Sequence, residues 1–179
     1  MIDVSSIEEI DGELRAVIAG LDRARSLTAA ADHQVQQVAA RAVGAGFAAV
    51  AAGMAGVRAA ISVIQAGLSG AAGTVGEATR AAASVPREAA TPQETIAALA
   101  QVQQAIAGAR EATAATIGHV DQARQLVGTV LRGGQPGPLL QSLDSVKQVL
   151  VLVVQRCGAV QQAAEAAVGQ ARGLGSSGN

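Results

Sequence analysis

The sequence predicts an all-α protein, an elongated antiparallel four-helix bundle of coiled-coil type built from two helical hairpins. Three observations carry that prediction. Alanine supplies 42 of the 179 residues, and the Gln, Glu, Arg and Leu that accompany it are also strong helix formers. Apolar residues recur at alternating steps of three and four along four long segments, the 3.5-residue repeat of helices that pack side by side. The breaks between those segments hold Gly, Pro and capping residues. The helices are expected at approximately 6–43, 47–85, 92–132 and 138–173. They form one domain over 1–173 (hairpins 6–85 and 92–173), with 174–179 as a flexible tail.

The first seam runs from Ile7 through Leu14, Leu21, Thr28 and Val35 to Val38 and Ala42. Ser5 or Ser6, with Glu8 or Glu9 three residues on, reads as its capping box. After Ala42 the phase breaks, and the pattern restarts at Phe47. Two glycines in three residues, Gly44 and Gly46, permit a tight helix–helix turn there; one continuous kinked helix is the alternative. The second seam runs from Phe47 through Val50, Met54, Ile61, Ile64 and Leu68 to Val85, and Pro86 ends it.

Thr91-Pro92-Gln93-Glu94 opens the third helix, with Thr91 at the N-cap, Pro92 at the first helical position and Glu94 reaching back. Its seam passes through Leu99, Val102, Ile106, Thr113, Thr116, Val120 and Val127 to Val130. Gly133 and Gly134 close it, and Pro138 starts the fourth helix. That helix carries Leu143, Val146, Leu150, Val153, Cys157, Val160 and the alanines up to Ala171, then Leu174; Gly173 and the tail "GSSGN" end it. Each helix would be about 55–60 Å long.

The two halves look like a tandem pair. Ala24-Arg25 with Thr28 recurs as Ala109-Arg110 with Thr113, and Met54, Val57, Arg58 and Ile61 recur as Leu143, Val146, Lys147 and Leu150. Short turns make sequence neighbours antiparallel. The core is expected to be thin, because an alanine methyl adds under about 1 kcal/mol where a buried Leu or Ile adds roughly 1.5–3. Ala49, Gly53 and Val57, small residues at four-residue spacing, would let two backbones come close.

The stretch "QVLVLVVQ" (Gln148–Gln155) has more apolar residues than one seam needs. Leu150 and Val153 continue the seam, and Val149 and Val154 flank it. Val151 and Leu152 fall on the face turned from the core. Val63 holds the equivalent outer position on the second helix. These five residues, Val63, Val149, Val151, Leu152 and Val154, are the candidate partner-contact patch.

Several functions are disfavoured. The net charge is −1, with 12 Arg and Lys147 scattered, so there is no basic stripe for nucleic acid and no Trp or Tyr to stack on bases. His33 and His119 fall off the seam, and neither has Glu three residues before it, the di-iron bundle spacing. No Cys/His cluster suits zinc, so no metal, cofactor or catalytic residue is expected. Cys157 reads as a small buried hydrophobe. Thr28, Thr113 and Thr116, the polar seam residues, are expected to bond back to their own helix carbonyls. The Asp residues near the histidines, Asp32 and Asp121, read as exposed polar neighbours. "GGQPGP" lacks the Gly-Lys-Ser/Thr ending of a phosphate loop. The region Ala42–Gly76 is long and apolar, but its Ala, Gly and Ser content and its seam fit a bundle helix better than a membrane span. The acidic first residues do not resemble a secretory signal, and a cytoplasmic location is expected.

The blocks "GFAAVAAGM" (Gly46–Met54), "TPQETIAALA" (Thr91–Ala100), "VDQARQLV" (Val120–Val127) and "GGQPGPLL" (Gly133–Leu140), with "KQVLVLVVQR" after them, resemble an uncharacterised family of alanine-rich helical proteins from actinobacteria. The resemblance implies no activity and no functional residues. In general build the chain is also similar to small effectors of type VII secretion, but it has no Trp for their Trp-x-Gly turn and no Tyr for their export signal. The expected function is that of a non-enzymatic structural or interaction protein, a homo-oligomer or the binder of a protein partner. The alternative is an amphipathic-helix protein that coats a lipid or polymer surface.

Overall fold

Seams of Ile, Leu, Val and Ala at steps of three and four put one apolar stripe on each helix, and the structure closes these stripes on one another. The computed structural model describes residues 4–85, 91–134 and 136–176. They form α1 (Val4–Gly44), α2 (Ala48–Ala83), α3 (Pro92–Val130) and α4 (Gly137–Ser176), with no strand among them. At 1.5 Å per residue each helix is about 55–60 Å long.

Each helix touches two neighbours: α1 packs on α2 and α4, and α3 packs on α2 and α4. Among the described residues the diagonal pairs α1–α3 and α2–α4 bring no Cα atoms within 8 Å of each other, so the four helices stand in a ring in chain order. Polar contacts show that α1 and α4 are antiparallel. Ser6 on α1 meets Gln170 on α4, Glu13 meets Arg156, and Gln34 meets Ser142. The two hairpins are thus joined along α2–α3 and α1–α4.

The predicted seam is the core. Leu21 and Val153 are 1% and 2% exposed, and Ile64 and Ile106 are fully buried. Val38, Val50 and Val130 are half-buried, and Leu174 lies outside the residues whose side chains are described. The seams of α3 and α4 also begin one step earlier than read, at Thr95 and Leu139, both buried. All four buried threonines donate to a carbonyl one turn back: Thr28 to Ala24 at 2.7 Å, Thr95 to Thr91 at 3.4 Å, Thr113 to Ala109 at 2.7 Å and Thr116 to Ala112 at 2.8 Å. Each hydroxyl is satisfied locally, so it enters the core without an orphan donor.

A thin core demands close backbones, and glycines supply them. A Cβ built on Gly20 would lie 2.5 Å from Val153 Cγ2, and one on Gly53 would lie 2.6 Å from Val130 Cγ1. At Gly67 it would strike Thr116 Oγ1. The small-residue spacing around Gly53 does bring two helices together.

Four expectations about the ends need correction. Phe47 is not a seam residue. Gly46 takes φ +79°, the Phe47 amide donates to the Ala42 carbonyl at 2.8 Å, and Phe47 becomes the N-cap of α2 rather than part of it. A cap has not entered the helical path, so the heptad phase does not govern its side chain, which is 62% exposed. Ser5 and Ser6 are not caps, because α1 already runs through them; Ser6 Oγ donates instead to Gln170 Oε1 at 3.4 Å. The fourth helix starts at Gly137, which places Pro138 inside the first turn, where its missing amide costs nothing. It also continues past Gly173 to Ser176, so part of the expected tail is helical. Pro86 lies outside the described residues.

The other boundaries follow their chemistry. The α1–α2 junction is a turn and not a kink. Thr91 accepts from the Glu94 amide and the Glu94 carboxylate accepts from the Thr91 amide, completing the capping box. The Thr91 amide, and less strongly the Thr91 hydroxyl, donate to the Glu94 carboxylate and hold it below the usual carboxylate range. Gly133, at φ +91°, turns the chain after α3.

Candidate functional site

The segment Gln148–Gln155 splits as helical geometry requires. Leu150 and Val153 are buried, and Val149 and Val154 are half-buried, Val149 against the core. Val151 and Leu152 are 39% and 59% exposed. Beside them runs an open groove of about 560 Å³, lined by Arg124 of α3 and by Asp144, Lys147, Gln148, Val151 and Leu152 of α4.

A charged network crosses the same face. Lys147 Nζ donates to both Asp121 oxygens at 2.8 Å. Arg124 donates to Asp121 at 3.2 Å and to Asp144 at 2.8 Å. Two cations and two carboxylates thus join α3 to α4 with no net charge. The Lys147 ammonium holds the Asp121 carboxyl below its usual range; burial opposes it, and Arg124 adds a weaker lowering effect. The four side chains are 34% to 42% exposed, so solvent screens each pair and the network works mainly as a register clamp. Arg124 Nε is buried in this face without an acceptor.

The structure does not bring the whole sequence-derived patch together. Val63 is 47% exposed, but it lies on α2, diagonal to α4. The contiguous part is Val149, Val151, Leu152 and Val154. Other exposed apolar residues are Ile18 on α1, Leu126 on α3, and Val43 and Phe47 at the α1–α2 turn.

Asp32 and Asp121 are more than exposed neighbours of the histidines. Asp32 Oδ1 pairs with Arg58 Nε at 3.4 Å, joining α1 to α2 as Asp121 and Lys147 join α3 to α4. One sequence offset separates Asp32 from Asp121 and Arg58 from Lys147. That shared offset was the signal available for these clamps. It also gives the tandem reading a structural counterpart.

His33 is exposed and bonds Gln37 at 3.0 Å, and His119 is half-buried. Among the described residues, no three His, Cys, Asp or Glu side chains group to hold a metal. Cys157 is fully buried, and burial pushes its thiol up to about 11. Native Cys157 is therefore expected to resist iodoacetamide at neutral pH and to react at the rate of a free thiol once the chain is unfolded. The folded value is raised from 9.0, so this group's contribution to stability is complete below pH 9.0 and is lost as pH rises toward about 11. Mass-spectrometric alkylation checks the first expectation, and melting across alkaline pH checks the second.

Two helices, α2 over Ala48–Ala83 and α4 over Gly137–Gly173, are long and apolar enough to cross a membrane by length and composition. In the bundle both turn their seams into the shared core.

Comparison with known proteins adds one similarity. Residues 90–176 match a family of unknown function, DUF6244. The match opens in the linker before α3 and closes with α4, so it coincides with the second hairpin, the one that carries the groove, the charged network and Val151 and Leu152. No curated protein and no solved structure matches the chain.

Proposed function

We propose that this protein is a non-enzymatic interaction protein, a helical bundle that associates with copies of itself through the outer face of its second hairpin. The observation that supports this reading is the exposure of Leu152 and Val151 beside a groove edged by Arg124, Asp144 and Lys147. An apolar centre with a polar rim is how association surfaces are commonly built. Neither side chain belongs to the core, where Leu150 and Val153 already fill the seam.

Sedimentation velocity tests this. The wild-type chain is expected to sediment faster as concentration rises. The double variant Val151→Lys, Leu152→Glu is expected to sediment as a monomer with an unchanged helical spectrum. A wild-type chain that stays monomeric at every concentration, or a variant that assembles equally well, removes the reading.

A second reading, a coat on a lipid or polymer surface, draws on α2. From Ala48 to Gly76 its only charged residue is Arg58, so its outer face offers mostly Ala, Gly and Ser, with Val63 and Gln65 among them. Coating by an opened bundle would unmask the buried seam, and Cys157 alkylation on added vesicles would report it.

A further inference from the structure

At the end of the bundle where α1 turns into α2, Val43 and Phe47 are 68% and 62% exposed. Phe47 is the chain's only aromatic residue. It occupies the N-cap of α2 and makes no side-chain capping bond, where Ser, Thr, Asn or Asp would stabilise the helix. A large apolar side chain that neither packs nor caps is not explained by folding. The turn between α1 and α2 is short, with Gly46 at φ +79°, so both side chains stand on a convex tip.

The charge around this tip has one sign. The sequence carries no Asp or Glu from His33 to Gly76, nor from Gln122 to Leu143. Tipward of the Asp32–Arg58 pair on α1 and α2 and of the Arg124–Asp144 pair on α3 and α4, this end of the bundle contains no carboxylate. It carries Arg41 in the last turn of α1 and Arg132 just after α3, both exposed. The start of α1, at the opposite end, holds Glu8, Glu9, Asp11 and Glu13.

We propose that this end of the intact bundle docks on an anionic lipid surface, with Phe47 and Val43 entering the headgroup region and Arg41 and Arg132 facing the lipid phosphates. A convex apolar tip suits a deformable receiver better than a helix face. Flanking arginines complement an anionic leaflet, and they repel the same end of a second copy. The acidic start of α1 keeps the far end away from the surface, so the bundle stands end-on. This inference uses a different surface from the second-hairpin face and does not depend on it.

Co-sedimentation of the full chain with vesicles tests it. Retention on phosphatidylcholine vesicles containing phosphatidylserine is expected to exceed that on phosphatidylcholine alone by about tenfold and to fall with added salt. Phe47→Ser is expected to lose about tenfold in binding while melting no lower than wild type, because serine caps α2. Arg41→Gln with Arg132→Gln is expected to weaken binding to the charged vesicles only. Absence of wild-type retention, or equal retention of Phe47→Ser, overturns the proposal. So does a head-to-tail assembly in solution that Phe47→Ser dissolves without any vesicle binding, which would give the tip to the acidic end of a second copy.

Discussion

Replacing Gly67 by valine is expected to lower the melting temperature by roughly 4–12 °C, the consequence of about 2–3 kcal/mol of overpacking in a chain of this size. Even the first added carbon at Gly67 meets Thr116 Oγ1 on α3. That hydroxyl is bonded to the Ala112 carbonyl at 2.8 Å, so turning it away forfeits its hydrogen bond, and valine's two further methyls then force α2 and α3 apart. The same pair of helices meets at Gly53, which lies against Val130. Separation at Gly67 is therefore felt along the interface, and an alanine-rich core has few long side chains to refill the gap.

Gly70, three residues on, is the control. Its Cβ would meet nothing within 4 Å, so Gly70→Ala removes only the entropic penalty of a helical glycine. It is expected to raise stability by about 1 kcal/mol and the melting temperature by roughly 2–4 °C. Circular dichroism melts at one fixed protein concentration check both. If Gly67→Val melts with wild type, close approach of α2 and α3 is not what holds the hairpins together.

The contrast between these glycines marks what a sequence of this kind discloses. Helix number, the seam and the capping box at Thr91 were legible, because each rests on local periodicity or local hydrogen bonding. Glycine spacing hinted at the contact at Gly53, but nothing local separates Gly67 from Gly70. That depends on which flank of α2 faces α3. The order of helices around the ring was hidden for the same reason: four seams of equal character can close in more than one order, so Val63 could be grouped with Val151 and Leu152 although α2 and α4 are diagonal. Phe47 was misplaced because its spacing to Val50 and Met54 imitates the heptad across a turn that the heptad does not span. Asp121 and Asp32 looked like neighbours of histidines because sequence adjacency is visible and cross-helix pairing is not. The outward face of Val151 and Leu152 was legible, since the phase of a helix assigns it once Leu150 and Val153 are placed inside.

That last assignment has a sharp consequence. Leu150→Ala is expected to cost about 2–5 kcal/mol, because Leu150 is fully buried among seam residues that are mostly Val, Ile and Ala and cannot collapse onto the space it leaves. Leu152→Ala, two residues on, is expected to change stability by no more than about 0.5 kcal/mol, since Leu152 is 59% exposed. The two substitutions remove the same atoms from the same β-branched run. In a strand, residues two apart lie on one face and would be penalised together; on a helix they point to opposite sides. Chemical denaturation of both variants, compared at a dilution where the chain sediments as a monomer so that association adds nothing to apparent stability, therefore reads the backbone geometry of Gln148–Gln155 directly. A large loss at position 150 with almost none at 152 is also what frees Leu152 to be judged by association alone. If both variants lose stability alike, Leu152 is a packing residue and the surface proposed for self-association does not exist.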